Sequence, residues 1–448
     1  MASFFIDQHG CAKNQTDGEL LCSYLEKAGF KYTENPEKAN FIIINSCGFI
    51  QSAKKESIDA VYSIKTAYPQ AKIIMAGCLA ERYACNLYEQ MPELDGIFGN
   101  GDLSKITDYM KKVSSTVKKQ GRAVPALFPQ TGVCAGERTR LFGFKGSAFV
   151  KITEGCSNNC SFCAIPLIRG QVRSRPSKDI VNEIKALVNS GIYEINLIGQ
   201  DLAAYSDGKN GLAALLEKIS ALKGPFVVRT LYIHPDHFNT DILEVYKKDS
   251  RFLPYFDIPF QSGDDQIIKA MNRRGTSKQY QALVKKIRKE LPSAALRTTF
   301  LTGFPGETEE AAENTRNFLQ QIKPMWSGCF PYSREEGTPA YSFKDRVPLS
   351  KAKERAKLLE QLQEEITSSQ LEKYIGKELD VLIEEIIPAE EEGLALGRAW
   401  FQAPEVDGCT VIRYDADDQK QAGRIIPGGL VKVKVLACTG PDLDSRLI

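Results

Sequence analysis

Long apolar runs are missing from this chain. No stretch reaches the roughly 20 apolar residues that a membrane helix requires, which argues against a helical membrane protein. The first residues, Met-Ala-Ser-Phe-Phe-Ile-Asp, lack a basic segment and place Asp7 within the apolar stretch, so we expect no signal peptide. Hydrophobic residues at 43% and charged residues at 25% are ordinary for a globular protein of several domains. These features predict a cytoplasmic protein without a membrane partner.

Histidine is also scarce. The chain has three histidines, and neither a Ser/His/Asp arrangement nor a phosphate-binding glycine loop is present. The sequence therefore gives no support to acid–base hydrolysis. For His234 and His237 we expect a helix-capping or surface role.

Cysteine, by contrast, is plentiful. Twelve cysteines without a secretion signal favour metal binding over disulfides. Cys156, Cys160 and Cys163 have CxxxCxxC spacing, so three thiolates on one short loop can hold three corners of a cubane iron–sulfur cluster. The fourth iron can then bind the amino and carboxylate groups of S-adenosylmethionine. A structural zinc loop is the alternative, but zinc usually takes four ligands in paired knuckles, and no fourth ligand lies nearby.

This loop resembles the signature of the radical S-adenosylmethionine enzymes. The resemblance rests on the spacing of the three cysteines and on the aromatic Phe162 directly before the last of them. It implies a [4Fe-4S] cluster and S-adenosylmethionine as cofactors.

A second cysteine triplet occupies equivalent places in the first hundred residues. Buried apolar runs alternate with helical patterns such as Asp17–Ala28, which predicts a doubly wound parallel sheet. The predicted strands cover residues 4–6, 41–44 and 73–76. Cys11, Cys47 and Cys78 each follow a strand within five residues, at the edge where such sheets bind ligands, and an adjacent glycine lets the backbone approach a bulky ligand. We expect a second cubane cluster here, or else three small buried hydrophobic residues. The other cysteines are given no ligand role: Cys22, Cys85, Cys134, Cys329, Cys409 and Cys438.

The middle of the chain predicts a linker followed by a barrel. Residues 113–141 form the linker, in which Glu137 is an acidic residue among five basic ones. The basic residues are Lys118, Lys119, Arg122, Arg138 and Arg140. Six βα units then favour a partial (βα)6 TIM-like barrel, open on one side. Its predicted strands are 148–152, 194–199, 226–233, 256–260, 295–302 and 328–332. Its predicted helices are about 178–190, 211–222, 238–248, 277–290 and 308–322.

Polar and glycine residues near the carboxyl ends of these strands are candidates to hold S-adenosylmethionine, because barrel enzymes keep their active sites there. Gln200 and Gln261 follow predicted strands and offer hydrogen-bonding groups. Arg297 and Thr299 alternate along one strand and so point into the barrel, and Gly303 opens a turn where backbone can meet adenine. The alternative for each is a turn former or a satisfied core group. The candidate cofactor-binding set is Phe162, Gln200, Gln261, Arg297, Thr299 and Gly303.

The C-terminal part changes character after a charged helical pattern at about 349–373. Apolar residues alternate with polar ones between glycines, which predicts a small antiparallel, OB-like β-barrel with strands at 379–387, 394–401 and 430–437. Residues 376–448 hold 8 Lys/Arg and 14 Asp/Glu, a net charge of −6. A module that grips phosphates needs a basic face, so direct nucleic-acid binding is not favoured. The acidic barrel suits a basic partner, or is simply a solvated surface.

The order of these parts resembles the methylthiotransferase family over essentially the whole chain, with a TRAM-like C-terminal barrel. The motifs are those of its RimO branch: Gly10-Cys-Ala-Lys-Asn14, Asn45-Ser-Cys-Gly-Phe49, Gly77-Cys-Leu-Ala-Glu81, Arg169-Gly170, 330–339 and 403–408. The tRNA-modifying branch instead tends to show Gly-Cys-Gln-Met-Asn and Asn-Thr-Cys at the first two sites, together with a basic barrel. The resemblance implies four parts: an N-terminal domain at 1–112, a linker at 113–141, a radical domain at 142–375 and a barrel at 376–448.

What the resemblance implies is methylthiolation of an aspartate β-carbon in ribosomal protein uS12, a basic protein of the small subunit, free or within the ribosome. In that family the N-terminal triplet holds an auxiliary [4Fe-4S] cluster and the central triplet holds the radical cluster. No side-chain base could deprotonate such a carbon, so a radical derived from S-adenosylmethionine has to remove the hydrogen. An electron donor such as flavodoxin or ferredoxin is implied.

Two other functions compete with this interpretation. A tRNA methylthiotransferase acting on an adenosine beside the anticodon shares the domain order, but the acidic barrel and the motifs weigh against it. A two-cluster electron carrier needs no barrel-sized domain, and carriers usually ligate each cluster through four cysteines.

Overall fold

Five parallel strands form the N-terminal sheet. The computed structural model describes residues 2–116, 122–388 and 392–448, so Lys118 and Lys119 of the predicted linker lie outside the described residues. The elements are β1 (Ser3–Gln8), α1 (Ala12–Lys27), β2 (Lys31–Tyr32), β3 (Phe41–Ser46), α2 (Gln51–Ala67), β4 (Lys72–Gly77), α3 (Cys78–Gln90), β5 (Gly96–Phe98) and α4 (Ile106–Ser115). The strand order is β2-β1-β3-β4-β5, and every pair is parallel. Ile43 and Ile44 are fully buried because helices cover both faces.

Helix α1 begins five residues earlier than the apolar pattern predicts. Its first turn is polar, yet Lys13, Asn14 and Gln15 are all buried. The sequence pattern missed this turn because it is buried by polar contacts with the rest of the protein and not by an apolar stripe.

The described part of the linker fastens the N-terminal sheet to the barrel. Arg138 lies 2.6 Å from Glu19 of α1 and 2.8 Å from Glu183 of the next domain, and these side chains are almost fully buried. Arg140 pairs with Glu26 at 3.0 Å. Arg138, one of the basic residues of the predicted linker, therefore joins the two domains through buried ion pairs.

Six parallel strands form the central sheet, which confirms the partial barrel. The elements are β6 (Ser147–Lys151), β7 (Thr153–Glu154), α5 (Ile165–Arg169), β8 (Arg173–Ser174), α6 (Ser177–Asn189), β9 (Glu194–Ile198), α7 (Leu212–Ser220), β10 (Val227–Thr230), α8 (Ile242–Lys248), β11 (Phe252–Asp257), α9 (Asp265–Ala270), α10 (Ser277–Glu290), β12 (Ala295–Thr302), α11 (Glu309–Ile322) and β13 (Trp326–Pro331). The order β13-β12-β11-β10-β9-β6 leaves the barrel open between its first and last strands. Among the described helices, none has both the length and the apolar composition needed to cross a bilayer.

One strand of this barrel departs from its prediction. The sequence predicts a strand over 256–260, whereas β11 covers Phe252–Asp257. Beyond Asp257, the hydroxyl of Thr298 on β12 replaces backbone hydrogen-bond partners of the sheet. It donates to the carbonyl of Ile258 and accepts from the N–H of Phe260. Pro259, which lies between them, has no N–H to offer a ladder. Gln261 then adopts a φ of +72° and forms an isolated bridge with Phe300.

The C-terminal unit is a closed five-stranded barrel reached through the long helix α12 (Leu349–Leu371). Its elements are β14 (Glu378–Ile387), β15 (Gly393–Ala399), β16 (Thr410–Tyr414), α13 (Gln419–Ala422), β17 (Leu430–Thr439) and β18 (Asp442–Leu447). All strand pairs are antiparallel except β16 with β18, which run parallel. The periodic pattern identified three of these strands, but missed the two short ones.

A buried ionic cluster joins this barrel to the central domain. Glu194, at the start of β9, lies 2.8 Å from Arg229 and 2.7 Å from Arg398 of β15, and all three side chains are nearly inaccessible. Burial alone would raise the pKa of Glu194, but the two guanidinium groups hold it well below its ordinary value.

We expect Glu194→Gln to destabilise the protein by about 3–5 kcal/mol, because the buried guanidinium of Arg229 loses its carboxylate and that of Arg398 keeps, among the described residues, only Glu384. The pKa of Glu194 is lowered in the folded state, so its contribution is present above the ordinary value of 4.5 and lost as the pH falls below it. Urea unfolding at pH 7 and pH 4 checks both statements, since the wild-type protein should lose more stability between these pH values than the variant. Glu385→Gln, on the exposed face of β14, is the control.

Candidate active site

The three N-terminal cysteines meet at the carboxyl edge of the first sheet. Cys11 caps α1, Cys47 directly follows β3, and Cys78 is the first residue of α3. Burial raises the pKa of the Cys47 thiol to about 12, and nearby Cys78 and Cys11 add to the effect. The three thiols are thus close enough to interact electrostatically, as their equivalent positions predict.

Glycines allow these loops to approach one another. A Cβ on Gly10, whose φ is +86°, would lie 3.1 Å from the Cβ and 3.5 Å from the Sγ of Cys47. A Cβ on Gly48 would lie 2.7 Å from the carbonyl oxygen of Cys78. The glycine beside each cysteine therefore lets the three loops converge, a close approach that a side chain would block.

Cys11 differs electrostatically from its two neighbours. Its surroundings tend to raise the thiol pKa by desolvation, but Lys13 and Arg169 outweigh this and the net pKa is lowered. Its position at the amino end of α1 also favours a thiolate. Cys11 is the most accessible residue of this triplet, although neighbouring groups desolvate its thiol, whereas Cys78 is buried.

The second triplet lies on the loop after β6 and β7. The Cys156 N–H donates to the carbonyl of Gly170 at 3.1 Å, and the Cys163 N–H to that of Cys160 at 3.0 Å. Burial raises the pKa of Cys163 to about 12, and Cys160 and Cys156 raise it further. This triplet is therefore also mutually interacting.

His234 lies beside this second triplet. The ring accepts from the N–H of Asp236 at 3.3 Å, which confirms the predicted capping role, and its Nε2 lies 3.9 Å from Cys160 Sγ. Burial, followed by the charge of Arg273, lowers the pKa of His234 to about 3, so the ring is neutral at physiological pH. Sequence reasoning did not predict the contact with Cys160, because the two residues are 74 positions apart.

Arg169 connects the two triplets. It ends α5, six residues after Cys163, and its Nη2 donates to Cys78 Sγ at 3.2 Å and to Asn14 at 2.9 Å. Cys78 also packs against Ala164 and Ile168, which follow the second cysteine triplet in the chain. The two cysteine loops therefore face each other at a single interface between domains.

Buried charges hold Arg169 in this position. Its guanidinium pairs with Glu154 and lies 2.9 Å from Asp17, while Lys151 pairs with both carboxylates. Burial alone would raise the pKa of Glu154, but Lys151 and Arg169 lower it to about 2. Sequence reasoning noticed Arg169 only as part of a motif and missed the other three, because their pairing crosses domains.

The candidate cofactor residues fall into two groups. Gln200 has both amide atoms buried without a partner, and Gln261 has its Oε1 in the same state. Buried polar groups of this kind call for a ligand or a water molecule. Thr299 lies on the barrel-facing side of β12, where its carbonyl accepts from the N–H of Gln261 at 2.7 Å.

The other candidates have partners within the protein. Arg297 pairs with Asp257 at 3.4 Å and with Asp407 of the C-terminal barrel at 3.3 Å. Gly303 donates its N–H to Glu307, and a Cβ there would lie 2.3 Å from Ala352 Cβ, so it accommodates the close packing of α12. Phe162 packs in a small apolar cluster with Phe304 and Met271.

The donor sets fit the groups that the sequence resemblance implies. In the described ranges, no three His, Cys, Asp or Glu side chains converge on the position of a single metal ion. Each triplet instead offers three mutually interacting thiols, the donor set for three corners of a cubane cluster. The unpartnered amide of Gln200 offers hydrogen bonds to a polar ligand at the same barrel mouth.

Three families match successive parts of the chain. Residues 3–99 match Uncharacterized protein family UPF0004, residues 150–319 the Radical SAM superfamily, and residues 375–448 the TRAM domain. Among solved structures, the radical S-adenosylmethionine methyltransferase TsrM from Kitasatospora setae covers 76% of this chain, and this chain covers 74% of it, with a TM-score of 0.55 at 12% identity. That similarity supports the fold alone.

Curated relatives extend the match to the full length. The chain is 51% identical to the ribosomal protein uS12 methylthiotransferase RimO of Treponema denticola, over 98% of this chain and 99% of that protein. It is 38% identical to the protein of the same name from Thermosipho africanus, over 100% of this chain and 99% of that protein. The two facing cysteine triplets and these full-length similarities lead to one conclusion: the chain belongs to the RimO family and is a radical S-adenosylmethionine methylthiotransferase.

Proposed function

We propose that this enzyme replaces a β C–H bond of an aspartate in ribosomal protein uS12 with a C–SCH3 bond. The observation that carries the proposal is the placement of the two cysteine triplets on either side of Arg169. Cys11, Cys47 and Cys78 would hold the auxiliary [4Fe-4S] cluster, and Cys156, Cys160 and Cys163 the radical cluster. When bound, the clusters and S-adenosylmethionine supply the radical that removes the hydrogen and the methylthio group that replaces it.

The protein's own residues bring the two reactive centres together and shield them. The ion pairs of Asp17, Lys151, Glu154 and Arg169 fix the N-terminal sheet against the barrel mouth, so the distance between the triplets is set by buried contacts. Neutral His234 covers Cys160 without adding charge. A site whose parts are held together by buried contacts suits a reaction in which competing hydrogen donors must be excluded.

Gln200 and Gln261 are the strongest candidates for S-adenosylmethionine contacts, because their amide atoms are buried without partners. Gln200 directly precedes Asp201, whose carboxylate accepts from Asn158 of the cysteine loop at 2.9 Å. The same turn therefore supports the cysteine loop. Phe162, Arg297, Thr299 and Gly303 remain candidates, with Arg297 and Gly303 also serving the fold.

We expect Gln200→Ala to weaken S-adenosylmethionine binding about tenfold, because one or two hydrogen bonds are lost. Equilibrium dialysis on the reconstituted enzyme measures this, with the iron content unchanged. Gln363→Ala is the matched control, since Gln363 is also buried and also has an unpartnered Oε1, but lies in α12 and donates to the carbonyls of Pro324 and Met325. Equal affinities of the Gln200→Ala variant and the wild-type protein would exclude the contact.

The substrate and partners follow from the family and from charge. The C-terminal unit has a net charge of −6 over 376–448, which suits a basic ribosomal protein, free or assembled. An electron donor such as flavodoxin or ferredoxin would supply the reducing electron, in the cytoplasm. We also propose that the N-terminal domain ends at residue 112, the linker at residue 141 and the radical domain at residue 375.

The test is anaerobic reconstitution with iron and sulfide, followed by reduction with S-adenosylmethionine and two substrates, uS12 and an isopentenyl-adenosine tRNA. Mass spectrometry should show a gain of about 46 Da on an aspartate of uS12, the mass of one methylthio group replacing hydrogen. The same gain on the tRNA alone would overturn the proposal in favour of the tRNA-modifying function. Reduction of the clusters without cleavage of S-adenosylmethionine would favour an electron carrier.

A further inference from the structure

Lys13 is a mostly buried lysine that forms no salt bridge with any residue of the described ranges. It lies in the first turn of α1, two residues after Cys11, and only 8% of it is exposed. Its Nζ lies 3.3 Å from the centroid of the Tyr232 ring. Over the described ranges the ammonium group has no hydrogen-bond partner within 3.5 Å and no carboxylate oxygen within 4.0 Å. The Nζ is not fully enclosed, so an anion can reach it and take the place of water that the surrounding residues have removed.

The nearby carboxylates are already paired with other cations. Glu154 pairs with Lys151 and Arg169, and Asp257 pairs with Arg297. Both carboxylates act on Lys13 electrostatically, but neither reaches it. Within the described ranges, Lys13 is therefore a cation that these carboxylates leave available to an anionic ligand.

Lys13 lies between the N-terminal cysteine triplet and the mouth of the barrel. On one side stands Cys11, the most accessible residue of the N-terminal triplet. On the other side Tyr232 and Asp257 follow or end adjacent strands of the barrel, β10 and β11, at the mouth where Gln261 lies. A substrate carbon that must meet chemistry from both centres has to enter this space.

We propose that Lys13 binds the carboxylate of the substrate aspartate. This inference rests on the proposed function. The carboxylate is bonded directly to the β-carbon, so a charge-assisted hydrogen bond at the carboxylate places the reacting C–H within one bond of a fixed point. The same contact supplies the counter-charge that a carboxylate needs on leaving water.

The experiment compares uS12 with a uS12 variant in which the modified aspartate is asparagine. Wild-type enzyme should modify the aspartate form at least tenfold more efficiently, measured as kcat/KM, because the asparagine form lacks the charge. In Lys13→Met, which keeps the length of the side chain but not its charge, the preference should fall to about one. The affinity for unmodified uS12, measured by fluorescence anisotropy without turnover, should fall about tenfold or more.

Two further variants separate binding from folding. Lys13→Gln provides a polar replacement in case Lys13→Met is poorly folded, and it should also lose the aspartate preference. Lys54→Met is the matched control, because Lys54 is also buried and also faces an aromatic ring, that of Tyr83, but already pairs with a carboxylate, that of Glu335. It should be less stable but should keep the preference.

The outcomes are distinct. Loss of the preference in both Lys13 variants, with iron content and S-adenosylmethionine cleavage retained, supports the inference. An unchanged preference overturns it, and a shifted spectrum of the auxiliary cluster in that case would assign Lys13 to charge balance at Cys11. Failure of the wild-type enzyme to modify uS12 overturns the proposed function itself, and the inference with it.

Discussion

Replacing Cys11, Cys47 and Cys78 together by alanine is expected to abolish methylthio transfer while reductive cleavage of S-adenosylmethionine continues. The second triplet, Cys156, Cys160 and Cys163, lies on a separate loop whose backbone bonds stay within the central domain. Replacing that triplet should abolish both cleavage and transfer. Anaerobic assays for 5′-deoxyadenosine and for methylthiolated uS12, with iron counted for each variant, measure the two activities separately.

The other cysteines of the N-terminal sheet are the controls for this experiment. Cys85 is exposed on α3, the helix that begins at Cys78, and Cys22 is fully buried in α1. Cys85→Ala should leave both activities intact, and Cys22→Ala should change only stability. If the variant lacking Cys11, Cys47 and Cys78 kept full iron content and full transfer, these residues would not be cluster ligands.

Arg169→Met is expected to lower the reduction potential of the auxiliary cluster by about 60–120 mV and to reduce transfer more than a hundredfold. The positive charge of Arg169 and its hydrogen bond to Cys78 Sγ favour the reduced, more negative cluster, so their loss favours the oxidised one. A one-electron shift of about 59 mV corresponds to a factor of ten, or about 1.4 kcal/mol. Redox titration followed by electron paramagnetic resonance, in a background without Cys156, Cys160 and Cys163, isolates this cluster.

Arg82 provides the matched control for Arg169. It is also a buried arginine of the interface between the N-terminal sheet and the barrel, 2.7 Å from Glu335, but within the described residues its guanidinium donates to Gly48, Glu335 and Glu336 and not to a cysteine. Both variants should be destabilised, by about 1.5–3 kcal/mol, because each removes charge-assisted hydrogen bonds from buried carboxylates that keep a lysine as ion-pair partner. Arg82→Met should leave the potential unchanged. If the auxiliary cluster had the same reduction potential in Arg169→Met as in the wild-type protein, Arg169 would have only a structural role.

Much of the site was predictable from local sequence. CxxxCxxC spacing places Cys156, Cys160 and Cys163 on one loop in any fold, because only a few residues separate them. The apolar runs before Cys11, Cys47 and Cys78 predicted parallel strands, and parallel strands end at a common edge. Strand and helix periodicity likewise predicted the open barrel and the C-terminal β unit. These features depend on the spacing of residues that are close together in the chain, and this spacing can be read from the sequence.

The remaining features depend on which distant residues meet. Nothing in the pattern around Pro259 showed that a hydroxyl of the neighbouring strand would replace ladder bonds and end β11 at Asp257. The parallel pairing of β16 with β18 depends on how the barrel closes. The polar residues at the start of α1 do not form the apolar stripe that predicts a buried helix, yet the barrel mouth and the linker bury them.

The sequence by itself determined the two sets of three thiols, the strand–helix order and, through its motifs, the family. Only the tertiary structure decided that Arg169 donates to Cys78, that Glu194 pairs with Arg229 and Arg398, and that Lys13 lies over the ring of Tyr232. The physical reason is that a charge is stabilised by whichever opposite charge or ring the fold brings within a few ångströms. These partners lie tens to hundreds of residues away, so composition and spacing do not contain them.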